Sequence, residues 1–296
     1  MQLCSSQILV QHASPSKLAW HWNDSAPPTT EIVGTIRTHG FAVVRRILPI
    51  ELVCDLRREF FAAFSTSGVS ADGELATAEQ ASAVVAQFGR PTHQSAHLQA
   101  TEHYRQLTQA PALVGLAEQL LSDRVRLLPR QVLRLYTRFS RSGAMAHFDE
   151  AFIIRPPHMI CNAWIPLGRA DTRTGTLLYL PKSHLHDVYR SRDTYHSTLP
   201  MPPKDGYPFG PNLDEIAASM GLGPWEYIEL GPGDISIHHP RTLHASTDSS
   251  SNYARLTTDV RFAPSTWFSD PRWDEAWKSD DMHKWNLSNR PTAGEA

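Results

Sequence analysis

The sequence predicts a mostly β fold with flanking helices, built around a double-sheet jelly roll. Two observations carry this reading. From about residue 125 the apolar residues fall in short β-type runs: "VRLLPRQVLRLYTRF", "AHFDEAFII", "MICNAWIPL", "TLLYLP", "WEYIELG", "DISIHH" and "ARLTTDVRFAP". Turn-formers such as "DTRTG", "GPGD" and "TDSSSN" separate them. Before residue 125 the spacing is helical, and many short strands after a helical section point to a sheet pair buttressed by helices.

Residues 1–30 are mixed and polar, end in "SAPPTT", and read as an arm. A single domain is expected over 31–296. Its opening, "EIVGTIRTHGFAVVRRILPIELVCDLRREFFAAF" (31–64), reads as helix, strand, helix. Gly40 breaks the first helix, "FAVV" is a short buried strand, and Pro49 falls where the second helix starts. Leu52, Leu56 and Phe60, with Ile50 and Val53, place an apolar stripe on that helix. Residues 65–100 read as a surface insertion, and "APALVGLAEQLL" (110–121) as another short helix. The jelly-roll core is expected over about 125–265. Within it, residues 185–224 are rich in Pro, Gly, Asp and Tyr without a period, as expected of a lid or binding loop. The tail carries four of the eight tryptophans and is expected to pack back over the core.

Composition removes several classes of partner. A net charge of −2 with scattered Lys and Arg gives a polyanion no basic surface, so nucleic acid is not expected. No apolar stretch approaches the roughly 20 residues of a membrane-spanning helix. The first residues lack the basic and apolar regions of a signal peptide. Three cysteines, Cys4, Cys54 and Cys161, have neither metal spacing nor an even number, and a reducing cytoplasm is the expected setting.

Chemistry concentrates in "GAMAHFDEAFIIRPPHMICNAWIPLG" (143–168). In a strand, residues i and i+2 share a face, so His147 and Asp149 would present an imidazole and a carboxylate side by side. Alone the pair says little: 15 histidines and 30 acidic residues in 296 give about one or two H-x-D/E by chance. A third ligand for iron or zinc would come from "LGPGDISIHHPRTLHAST", as His238, His239 or His244. Two histidines and one carboxylate on one face leave open coordination positions, the arrangement of non-haem Fe(II) oxygenases. Arg255 lies eleven residues after His244, across "TDSSSN", so the two can sit on adjacent antiparallel strands. There a guanidinium suits bidentate capture of a dicarboxylate.

Four segments resemble the phytanoyl-CoA dioxygenase family of Fe(II)/2-oxoglutarate-dependent oxygenases: "IRTHGFAVVRRILPIELVCDLRREF", "HFDEAF", "CNAWIPLGRADTRTGTLLYLPKSH" and "LGPGDISIHHPRTLHASTDSSSNYARLTTDVRF". The resemblance spans roughly residues 31–270 and implies a cupin-like double-stranded β-helix. It implies that His147, Asp149 and His244 ligate iron, since His244 has the small residues "AS" after it and the step to Arg255. Arg255 would bind the distal carboxylate of 2-oxoglutarate, and Trp164 would line the co-substrate pocket. His238 and His239 are then structural or pocket-lining. Two positions depart from the family: Phe148 where Gln is common, and Lys182 where P-G-S-H has its glycine.

The implied activity is O2-dependent oxidation of an unactivated C–H bond of a small molecule, with 2-oxoglutarate converted to succinate and CO2. Hydroxylation, desaturation and ring closure all belong to this chemistry. The carboxylate of Asp149 speaks against halogenation, which needs that position for a halide. Tyr189, Tyr195, Tyr207, Phe209, Trp225 and Trp267 suit an apolar or amphipathic substrate. Arg134, Arg138 and Arg141 are either anion contacts or solvated strand positions. The rival readings are a protein or peptide hydroxylase, a cupin-like enzyme without the keto acid, and a non-catalytic jelly-roll binding protein.

Overall fold

The computed structural model describes residues 10–12, 18–25, 27–64, 77, 79, 101–139, 146–151, 160–186 and 212–266. Five helices and eleven strands lie among them: β1 (Val10–His12), β2 (Ala19–His21), α1 (Thr29–His39), β3 (Phe41–Arg45), α2 (Ile50–Phe64), α3 (Glu102–Thr108), α4 (Pro111–Leu121), β4 (Val125–Leu127), β5 (Val132–Tyr136), β6 (Cys161–Pro166), β7 (Leu177–Tyr179), α5 (Leu213–Ser219), β8 (Trp225–Tyr227), β9 (Ile235–His238), β10 (His244–Ser246) and β11 (Arg255–Pro264).

The strands form two open sheets. The larger runs β2-β3-β9-β6-β11-β4, with β5 also paired to β11; the smaller runs β1-β8-β7-β10. β11 is the spine of the larger sheet, antiparallel to β6 on one side and to β4 and β5 on the other. All ten of its residues are buried, so alternation sorts them between two different interiors. Leu256, Val260 and Phe262 join the core beneath the helices, along with Cys161, Ala163 and Ile165 of β6 and Ile235 and Ile237 of β9. The opposite face carries Arg255, Thr257, Asp259 and Arg261, with Asn162 and Trp164 of β6 and Ser236 and His238 of β9 in register beside them.

Helices cover the first face. Ile32 and Ile36 of α1, Val53, Leu56 and Phe60 of α2, and Leu113 and Leu116 of α4 are fully buried there. Each such side chain stabilises the packing by roughly 1.5–3 kcal/mol. Ile50, placed on the same stripe by spacing alone, is exposed at the start of α2. Gly40 ends α1 in the left-handed region (φ 96°), and its N–H donates to Ile36 O at 2.9 Å. A Cβ there would lie 2.6 Å from Thr242 Oγ1 and 2.8 Å from His184 Nδ1.

The second face meets the smaller sheet. Phe41 stacks on Tyr179 with ring centroids 4.1 Å apart, and Val43, Trp164, Leu177, Ile228 and Leu230 complete an apolar layer between the sheets. On the outer side of the smaller sheet a third cluster packs Leu178, Leu180, Ala245 and Trp225 under α5.

Several expectations need adjusting. Within residues 1–30, read as an arm, β1 pairs parallel with β8 and β2 parallel with β3. Residues 146–151 of "AHFDEAFII" are not a regular strand: His147 forms an isolated bridge with His244, and Asp149–Ala151 is a 3₁₀ turn; the rest of the run lies outside the described residues. Tertiary contacts set that turn, since Glu150 N donates to Pro240 O at 3.0 Å and the Glu150 carboxylate pairs with Arg241. In the aperiodic 185–224 stretch, residues 213–219 form α5, capped by the Asn212 side chain; most of the remainder lies outside the described residues. So do the 65–100 insertion apart from Thr77 and Glu79, and the tryptophan-rich tail from 267. Lys182 adopts φ 64°, the left-handed conformation that glycine takes most easily, which accounts for the glycine in the related motif. Phe148 turns away from the sheet interior into the outer cluster with Ala146 and Leu243.

Candidate metal centre

Reciprocal backbone bonds bring two of the expected residues together. His147 N donates to His244 O and His244 N to His147 O, both at 2.9 Å. Their rings consequently lie with centroids 4.2 Å apart. The 3₁₀ turn then swings Asp149 back toward them, and Asp149 Oδ1 comes to 3.9 Å from His244 Nε2. One potential ligand atom from each of His147, Asp149 and His244 lies within 4.8 Å of the others, and all three residues are buried. Among the described residues this is the group of three or more His, Cys, Asp or Glu side chains so arranged.

The protonation pattern suits a cation. His244 Nδ1 donates to Thr242 O at 3.0 Å, which leaves Nε2 as the lone-pair nitrogen facing Asp149. Burial, with His147 and His238 alongside, holds the His244 imidazole well below its ordinary value and therefore neutral. Burial alone would raise the Asp149 carboxyl, but the His238 hydrogen bond and the neighbouring imidazoles and Arg261 guanidinium hold it well below the carboxylate range. Two imidazoles and one carboxylate form a donor set for a borderline divalent metal such as Fe(II).

Beside this cluster lie His238, expected as structural or pocket-lining, and residues that spacing did not single out. His238 Nε2 donates to Asp149 Oδ2 at 2.9 Å, and Asn162 Nδ2 donates to the same oxygen. Tyr179 OH sits 2.7 Å from Ser236 Oγ and 3.3 Å from His238 Nδ1. Period-2 alternation in β6 and β9 could have placed Asn162 and His238 on one face, but not against Asp149, whose position depends on the turn.

Arg255 is 3% exposed on that face, with its guanidinium 4.4 Å from the Tyr136 ring and 5.6 Å from the Trp164 ring. Its Nε and Nη1 have no hydrogen-bond acceptor among the described residues. Burial pushes its pKa down to about 10, so it remains a cation at neutral pH. Leaving two buried N–H groups of a cation without an acceptor is costly, and an anion such as a carboxylate fits them. Gly175, at φ 90°, leaves the space: a Cβ there would lie 3.1 Å from Arg255 Nη1 and 3.0 Å from Thr247 O. Thr257 Oγ1, on the same face of β11, is likewise buried without a partner.

Other candidates are spoken for. Arg134 pairs with Asp259, and Arg138 with Glu79 and Asn252; Arg141 lies outside the described residues. Trp225, expected near substrate, is fully buried in the outer cluster because β8 points it under α5, and its indole N–H donates to Leu213 O at 2.8 Å. Tyr189, Tyr195, Tyr207, Phe209 and Trp267 lie outside the described residues. His239 packs near His184, with ring centroids 5.1 Å apart, rather than joining the cluster.

A family model described as Phytanoyl-CoA dioxygenase (PhyH) matches residues 36–257, a span that includes the cluster and Arg255. The chain belongs to the phytanoyl-CoA dioxygenase family. It is therefore an enzyme of the Fe(II)/2-oxoglutarate-dependent oxygenase class. No curated protein matches it in sequence. Among solved structures it is similar to EctD from S. alaskensis in its apoform, at 18% identity and a TM-score of 0.58 over 94% of this chain and 90% of that one. It is also similar to SnoK, a non-haem α-ketoglutarate-dependent carbocyclase from nogalamycin biosynthesis, at 19% identity and a TM-score of 0.56 over 86% and 89% of the two chains. The epimerase SnoN, solved with Fe3+, α-ketoglutarate and nogalamycin RO, matches at 20% identity and a TM-score of 0.53 over 80% and 84%. At these identities the likeness carries the fold: a phytanoyl-CoA dioxygenase-type jelly roll. Among the described residues no helix is long and apolar enough to cross a membrane.

Proposed function

We propose that this enzyme uses Fe(II), 2-oxoglutarate and O2 to oxidise an unactivated C–H bond of a small apolar or amphipathic metabolite, releasing succinate and CO2. His147, Asp149 and His244 are the iron ligands, and Arg255 anchors the distal carboxylate of the keto acid. When bound, iron and keto acid supply the oxidising power; the protein supplies placement and a dry interior.

The observation that carries this reading is the buried guanidinium of Arg255 in its relation to His244. Arg255 Nη1 lies against Gly175 and Thr247 O. Thr247 is three residues beyond His244, roughly 10 Å along an extended chain. A five-carbon keto diacid can bridge that distance, with one end at the cluster and the other meeting the N–H groups of Arg255. Trp164, beside Arg255 in the apolar layer, walls the co-substrate. Phe41, Val43 and Leu177 keep water from the buried charges, which strengthens each ionic contact. A cytoplasmic setting accords with Cys54 and Cys161 being free thiols.

Anaerobic titration with Fe(II) and then 2-oxoglutarate tests the assignment. A metal-to-ligand charge-transfer band should form in the wild type and be missing in His147→Ala and Asp149→Ala. A wild-type protein that gives no band would return the fold to the binding-protein or keto-acid-independent readings. Succinate release across a metabolite library then identifies the substrate.

A further inference from the structure

The two oxygens of Asp149 have different surroundings. Oδ1 faces His244 Nε2 at 3.9 Å, inside the cluster. Oδ2 accepts from two donors, His238 Nε2 at 2.9 Å and Asn162 Nδ2. A carboxylate oxygen has about two lone-pair sites, so both on Oδ2 are taken by protein. Asn162 Nδ2 and His238 Nε2 lie 3.3 Å apart, and since each gives its hydrogen to Oδ2 this is a contact between two donors rather than a bond. The Tyr179 hydroxyl, 3.3 Å from His238 Nδ1, can donate to that nitrogen and so keep the proton on Nε2. The whole arrangement is buried.

We infer that His238 and Asn162 form a clamp that makes Asp149 a one-oxygen ligand, with Oδ1 toward the ion and Oδ2 withheld. This deepens the iron assignment and rests on it. The consequence is a matter of counting. A six-coordinate ion, if held by two imidazoles and one carboxylate oxygen, would keep three positions, enough for a chelating keto acid and a gas. If Oδ2 also bound, the keto acid would leave none. His238 and Asn162 are thus positioning residues that act through Asp149 to keep the gas position open.

Two titrations test the clamp. Cobalt(II) binding to the protein without keto acid reads ligand placement. Nitric oxide binding to the Fe(II) protein saturated with 2-oxoglutarate reads the remaining position. His238→Leu and Asn162→Leu should each weaken cobalt affinity by about ten- to a hundred-fold, the usual effect of losing a hydrogen bond behind a ligand. At saturating metal and keto acid, the double variant should take up nitric oxide far more weakly than wild type. His238→Gln restores an N–H at the position of Nε2 and should bring both readouts back, which a purely packing role would not do. Leucine variants that bind cobalt and nitric oxide as wild type does overturn the clamp and leave the proposed function standing. A wild type that binds cobalt but forms no charge-transfer band with Fe(II) and 2-oxoglutarate overturns the function, and the cobalt titration still decides the clamp. A wild type that binds no cobalt overturns both. Should the His238→Leu fold fail by circular dichroism, Asn162→Leu against His238→Gln carries the comparison.

Discussion

His147 and His244 are joined by their backbones, not their side chains: each N–H donates to the other's carbonyl at 2.9 Å. The scaffold of the centre therefore exists before any metal arrives. His147→Ala and His244→Ala should fold with near-wild-type stability in chelator. Fe(II) or Co(II) at a hundred times its Kd stabilises a binding protein by about 2.7 kcal/mol. That gain, read as a rise in Tm, should vanish in both variants. A metal-induced rise that survives in either places the ion elsewhere.

Arg255 separates function from stability. Its Nε and Nη1 are buried without an acceptor among the described residues, and its charge is met there by the Tyr136 and Trp164 rings. Arg255→Met keeps the packing volume and removes the charge. It should raise the stability of the ligand-free protein by about 1–4 kcal/mol, the range seen when buried ionic groups give way to apolar ones. Keto-acid binding should fall by about 2–5 kcal/mol, roughly thirtyfold to several-thousandfold in Kd. Urea unfolding and a 2-oxoglutarate titration on the same protein check both halves. A destabilised variant would mean that Arg255 has a structural partner.

Gly175 is the space beside that guanidinium. Ala there meets two obstacles, a backbone φ of 90° and a Cβ 3.1 Å from Arg255 Nη1. The backbone strain should cost more than about 1 kcal/mol. Displacement of Arg255 should raise the KM for 2-oxoglutarate with little change in the affinity for Fe(II). Equal losses in both would point to a general disturbance of the sheet pair.

The strands and the chemistry differ in how legible they are. β11, β6 and β9 were readable because their runs are apolar on alternate residues and bounded by turn-formers. Of the polar residues on the opposite face of β11, spacing and resemblance singled out Arg255 alone, yet Thr257, Asp259 and Arg261 are buried with it. Charge alone does not distinguish water from a polar interior between two sheets. Spacing left three histidines as the third ligand and the family resemblance favoured His244; the backbone bridge between His147 and His244 adds a geometric reason that spacing could not supply. The turn at Asp149 was hidden because His-Phe-Asp fits a strand, and the contacts that bend it come from Pro240 and Arg241, about ninety residues later. β1 and β2 are three residues each, too short for a period to register.

His239 gives the fold a dependence on pH. Its Nδ1 accepts the backbone N–H of Arg241 at 3.1 Å, a bond that a protonated ring nitrogen cannot make. Burial, with His184, Arg241 and His238 nearby, pushes its pKa down to about 3 from the ordinary 6.5. Between those values the unfolded chain holds a proton that the folded chain refuses, so stability rises with pH across this window and falls as the solution is acidified. His184 is also lowered, and reinforces the slope. The Tm of the metal-free protein should therefore drop steadily from pH 7 to pH 5. His239→Gln, whose amide oxygen can accept the same N–H without titrating, should flatten that decline. An unchanged slope would show that His239 takes up its proton in the folded state.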